Sequence, residues 1–146
     1  MRHLERIVSG IEWLHAGVQG NEKPWCFVVL DTLHLTHCVR PGVVRWFEVE
    51  SFDRRLAAVG CKLLFLRAST CAIEERGIAP RRNEQFLLQY AGKFGQSEEE
   101  IHAYFVREQE TLSELFSRSA MRKVIVEDEG ALQPQVDKIY EFWMES

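Results

Sequence analysis

The stretch that most constrains the fold is Trp25-Cys26-Phe27-Val28-Val29-Leu30-Asp31, an unbroken apolar run that follows Pro24 and ends on an acid. It is too short for a buried helix and rich in Val and aromatic residues. The expected form is a strand covered on both faces. In open α/β sheets ligands gather beyond the carboxyl ends of the strands, which makes Asp31 a candidate catalytic acid. The competing reading is a turn-capping aspartate. A second run, Cys61-Lys62-Leu63-Leu64-Phe65-Leu66-Arg67-Ala68, is a buried strand by the same reasoning, and Lys123-Val124-Ile125-Val126 is a third, shorter one.

Helical spacing fills the segments between. Leu4, Ile7, Val8, Ile11 and Leu14 predict an amphipathic helix over 2–15, ended by Gly17 and Gly20. Val44, Phe47, Phe52, Leu56 and Val59 predict a second helix over 43–58, stopped by Gly60. Ser69 or Thr70 caps a short helix reaching Arg76. A helix over 83–94 follows, and Ser97 with Glu100 forms a capping box for another that runs to about Arg118. Its apolar face carries Ile101, Tyr104, Phe105, Leu112, Leu115 and Phe116, read as core. Pro134 marks the first turn of a last helix whose buried side is Val136, Ile139, Tyr140 and Trp143. Strands alternating with helices predict one α/β domain over 1–146, with a small, mainly parallel three-stranded sheet flanked by helices.

Composition narrows the function. With 146 residues, 46% hydrophobic and 27% charged, the chain can bury a core of its own. A formal charge of −4 leaves no basic footprint for nucleic acid. No apolar run reaches bilayer-spanning length and no signal peptide precedes the first helix, so the expectation is a cytoplasmic protein without a membrane partner. Cys26, Cys38, Cys61 and Cys71 show no CxxC spacing and are read as reduced thiols. Asp31, His34 and His37 would share a helical face beside Cys38, a metal-capable grouping that lacks a clear fourth ligand. Loop packing is the plainer role for the two histidines, and no metal site is assigned.

The segment Arg76-Gly77-Ile78-Ala79-Pro80-Arg81-Arg82 is the most basic of the chain and reads as a loop, either in contact with an anion or paired with Glu74, Glu75 and Glu84 in solvent. The order of the strand ending in Asp31, the strand CKLLFLRA with its short helix, this arginine loop, and a final strand–helix pair resembles the C-terminal half of a P-loop nucleoside or nucleotide kinase of the thymidylate-kinase-like group. The resemblance covers about 25–146. It implies a partial P-loop kinase-like fold in which Asp31 helps hold magnesium or activates the acceptor hydroxyl. Arg76, Arg81 and Arg82 would close over phosphates, with Arg40 nearby.

Two departures qualify what it implies. Thr32 stands where the family usually has Arg. The chain also contains no GxxxxGKS or GxxxxGKT loop, the element that cradles triphosphate; Gly17-Val18-Gln19-Gly20 lacks the lysine and a preceding strand. Magnesium and ATP are thus implied only where missing residues complete the site, and the chain by itself is not expected to be a competent kinase. The absent family strand lies between the Asp31 strand and CKLLFLRA. The expectation is that these two strands pair directly, or that a second copy or another chain covers the exposed edge. The chain is therefore either a fragment or degenerate form of a phosphoryl-transfer protein, or a non-catalytic module for self-association or partner binding.

Overall fold

The computed structural model describes residues 2–18, 29, 34–39, 44–78, 93–95, 97–128 and 130–145; of Arg76 and Gly77 only the backbone is described. The elements are α1 (Arg2–Val18), α2 (His34–Val39), α3 (Trp46–Ala58), β1 (Lys62–Arg67), α4 (Thr70–Ala72), a π turn (Ile73–Ile78), α5 (Glu98–Arg118), β2 (Arg122–Glu127) and α6 (Leu132–Met144). Among the described residues β1 and β2 pair in a two-stranded parallel sheet, and most of the rest is helical. These elements are compatible with an α/β class, but among the described residues the sheet has two strands and the expected third is not shown. Of the run 25–31 only Val29 is described. It lies in no regular element and is 78% exposed, against the buried strand expected there. The other residues of that run lie outside the described part.

The chain divides into two compact units. The first comprises 1–63 and 114–123. Its core is Leu4 and Val8 of α1, Val49, Phe52 and Leu56 of α3, and Met121, with Ile11, Cys38, Val44, Trp46 and Leu63 packed around them. α1 runs past Gly17 to Val18, and Leu14 is exposed rather than packed. α3 begins at Trp46, three residues later than the spacing suggests, because Glu48 reaches back to accept from the Arg45 backbone N–H at 2.8 Å. That start turns Phe47 outward, where it is exposed, and puts Val49 inside. The helix closes in a Schellman motif: Cys61 N–H donates to Leu56 O and Gly60 N–H to Ala57 O, both at 3.0 Å. Gly60 takes φ +75°, a conformation that costs a side-chain-bearing residue about 1 kcal/mol.

The second unit comprises 64–113 and 124–146. β1 alternates: Phe65 is buried, while Leu64 and Leu66 on the opposite face are exposed, not covered as expected. Ser69 caps α4, its hydroxyl accepting from Ala72 N–H at 3.1 Å. The helical path then continues through Arg76 and Gly77 to Ile78, so the start of the basic segment is π-helical rather than loop. Ser97 Oγ accepts from Glu100 N–H at 3.2 Å and opens α5 where the capping box predicts. Ile78 and Ile101 are fully buried against Phe94 and Phe105. α6 differs most from expectation. None of its residues is buried, and Val136, Tyr140 and Trp143 are exposed while Gln135, Ile139 and Phe142 are half-buried.

Candidate functional site

Two polar clusters are built deliberately enough to be functional candidates, one in each unit. In the first unit the α2 helix turns His34 inward and leaves His37 exposed, so the pair does not converge on a ligand. His34 Nε2 instead donates to Asp53 Oδ1 at 2.8 Å; a carboxylate can only accept, so Nε2 carries the proton. Ser119 Oγ donates to the same Oδ1 at 2.6 Å, and the Ala120 N–H donates to Oδ2 at 2.6 Å. Met121 N–H in turn donates to Ser119 Oγ at 3.2 Å. His34, Asp53 and Ser119 are all buried.

Burial by itself would raise the Asp53 pKa. The hydrogen bonds from His34, Ser119 and Ala120, helped by the charge of the histidine, outweigh it and hold the carboxyl below its ordinary value. The residue types are those of a nucleophilic triad, but the connectivity is not. The serine hydroxyl donates its hydrogen bond to the carboxylate and not to the imidazole, so no general base is placed to activate Ser119 for attack. The cluster is a clamp. It joins α2, α3 and the turn before β2, and it fixes the chain three residues beyond Asp31.

Lys123 supports the same turn, its Nζ donating to Ser117 O in the last turn of α5 and to Ser119 O just beyond it, at 2.7 Å each, a cation at the helix C-terminus. On the flank, Arg55 binds Glu12 through two 2.7 Å bonds and Glu5 at 2.8 Å, tying α3 to α1.

In the second unit the polar groups collect at the carboxyl ends of the parallel strands, where α/β folds place ligands. Arg67 makes a bidentate pair with Glu127, and Asp128 N–H donates to Arg67 O at 2.8 Å. The Arg67 guanidinium holds the Glu127 carboxyl below the usual carboxylate range. Gln109 of α5 grips the next residue on both sides: Ala68 N–H donates to Gln109 Oε1 at 2.9 Å, and Gln109 Nε2 donates to Ala68 O at 2.8 Å. His102 Nε2 lies 3.1 Å from Thr70 O. The π turn leaves this end and leads into the basic segment; π turns of this kind are frequent at functional sites.

Of the residues singled out from sequence, Asp31, Arg40, Arg81 and Arg82 lie outside the described residues, as does the side chain of Arg76. Among the described residues no group of three His, Cys, Asp or Glu side chains could hold a metal ion. Cys38, Cys61 and Cys71 are free thiols. No described helix is long and apolar enough to cross a membrane.

Sequence reasoning missed Asp53, Ser119 and Gln109. A signal for Asp53 exists: it stands among Val49, Phe52 and Leu56 at the i, i+3, i+4, i+7 positions of a core-facing stripe, where an acid needs partners. Compared with known proteins, the chain matches no family model, no curated sequence and no solved structure.

Proposed function

We propose that this chain is a phosphoryl-transfer protein of the nucleoside or nucleotide kinase type. It carries the acceptor and lid portion of that partial P-loop kinase-like fold and lacks the loop that grips triphosphate. One observation carries the reading: β1 and β2 are parallel neighbours, joined by a crossover that leaves β1 through a Ser69-capped turn and enters the arginine segment. That is the order the sequence resemblance calls for. In this reading Asp31 serves the metal or the acceptor hydroxyl, and Arg76, Arg81, Arg82 and Arg40 contact phosphate. Magnesium and ATP bind productively only when the absent loop is supplied. Calorimetric titration with nucleotides in the presence of magnesium tests it. Weak binding abolished by Arg81→Ala with Arg82→Ala, without ATP turnover, is the expected result; no heat at millimolar nucleotide removes the reading.

The exposed Leu64 and Leu66 favour a second reading, a non-catalytic module that uses the kinase-like scaffold for self-association or for binding another chain. Light scattering tests the first of these: a homo-oligomer is expected, and a strictly monomeric chain counts against it.

A further inference from the structure

We infer that α6 is a docking surface for a basic amphipathic helix of another protein. The inference rests on the partner-binding reading and gives that partner a place and a chemistry.

At about 100° per residue the apolar positions of α6 run from Phe142 through Ile139, Leu132, Trp143, Val136 and Tyr140 to Met144, an arc of about 200°. One layer of neighbours covers roughly half of that. The covered half is the Gln135, Ile139 and Phe142 side, and Lys138 on that flank is close enough for its charge to lower the Glu127 pKa. The other half is a line at four-residue spacing left in solvent: Leu132 is 72% exposed, Val136 44%, Tyr140 63% and Met144 53%. Four large apolar residues in one exposed row exceed the scattered surface apolars of an ordinary domain.

The rim of that row decides what covers it. Beyond Tyr140 and Met144 the next positions around the helix are Asp137 and Glu141, both exposed. Asp137 Oδ1 accepts from Gln133 Nε2 at 2.8 Å, which leaves its charge intact. A second copy docking antiparallel across a two-fold axis would set this acidic rim against itself, an isologous contact between like charges. An anionic membrane surface meets the same repulsion. A helix with an apolar stripe flanked by Lys or Arg satisfies both the row and the rim, its apolar face laid along that of α6.

The test uses the full chain and two labelled synthetic amphipathic helices with the same Leu stripe, one flanked by Lys and the other by Glu, read by fluorescence anisotropy. The Lys peptide is expected to bind more tightly by about fivefold or more, the scale set by two exposed ion pairs. Asp137→Lys with Glu141→Lys should reverse the preference, and Tyr140→Asp should abolish binding with the helical circular dichroism unchanged. Equal binding of both peptides, or binding of neither, overturns the inference. So does tighter binding to phosphatidylglycerol vesicles than to phosphatidylcholine vesicles. A dimer that Tyr140→Asp dissolves overturns it while leaving self-association standing, whereas a monomer that binds the Lys peptide retains it and removes self-association.

Discussion

His34 and Asp53, 19 positions apart in the chain, meet at 2.8 Å inside the first unit, with no solvent to screen them. A buried charge of this kind is tolerated only when its lone pairs are filled, and here the hydroxyl of Ser119 and the backbone N–H of Ala120 fill them. The arrangement makes α2 dependent on α3. Asp53→Ala leaves the imidazole, the hydroxyl and the N–H without an acceptor, and is expected to cost about 3–5 kcal/mol. Urea denaturation measures this; a loss below about 1 kcal/mol would show that water replaces the carboxylate.

The same pair sets an acid limit. The folded-state pKa of Asp53 is depressed, its hydrogen bonds outweighing burial. The unfolded chain therefore binds the proton more readily, and stability rises with pH across that window. The contribution is complete above the unfolded value of about 3.9 and is lost as pH falls through the lower folded value. Glu12, lowered by its bond to Arg55, and Glu127, lowered by Arg67, act with the same sign. The Asp53 share is isolated by comparing melting temperatures of the wild type and Asp53→Asn from pH 7 to about pH 3. The two curves should converge at the acid end.

Two glycines are needed for different reasons, and alanine separates them. At Gly95 a Cβ would stand 2.5 Å from Glu100 Cβ and 2.8 Å from Ile101 N, at the start of α5 beside the buried Ile101. The backbone there must move, at about 1–3 kcal/mol. At Gly60 a Cβ meets nothing, and only the φ of +75° is unfavourable, at about 1 kcal/mol. Gly95→Ala should lower the melting temperature more than Gly60→Ala. The reverse order would place the packing of Gly95 in doubt.

Much of this local structure is legible in the sequence. Ser69, Ser97, Gly60 and the apolar face of α5 act through local geometry, and each does what its position predicts. Tertiary cover was not legible. Val136 and Tyr140 have the spacing of a buried stripe, but an apolar arc wider than one neighbour leaves its choice of face to the rest of the fold. Leu64 and Leu66 read as buried for the same reason: a continuous apolar run cannot say whether one face or both are covered. The Asp53 clamp was hidden because its partners come from α2 and from the turn after α5, far apart in the chain.

Cysteine reactivity follows from the surroundings of each thiol. Burial raises the pKa of Cys38, with the charge of Glu48 adding to it, and burial raises that of Cys61. Cys71 is exposed, yet its Sγ donates to Glu75 Oε1 at 3.1 Å, and that bond together with the charges of Glu75 and Glu74 raises its pKa as well. Since the thiolate is the reactive form, all three should react slowly with a disulfide reagent near neutral pH. Glu75→Gln should accelerate Cys71 alone. An unchanged rate would mean that the carboxylate does not govern the thiol.

Gln109 offers the sharpest test of how the carboxyl end of β1 is held. Its side-chain amide imitates a neighbouring strand, accepting from the Ala68 N–H and donating to the Ala68 carbonyl at once. Gln109→Ala removes both bonds and should cost about 1–3 kcal/mol, with faster hydrogen exchange at Ala68. Gln109→Glu discriminates further. The carboxylate keeps the acceptor for the N–H but has no donor for the carbonyl, and two oxygens then face each other. Lowering the pH to protonate the glutamic acid restores a donor, so this variant should regain stability toward acid while the wild type does not. If Gln109→Glu instead shows the same pH profile as the wild type, the bond to the Ala68 carbonyl contributes nothing, and the strand end is held by the remaining contacts, the Arg67–Glu127 pair, the Asp128 N–H on Arg67 O and the acceptor for the Ala68 N–H.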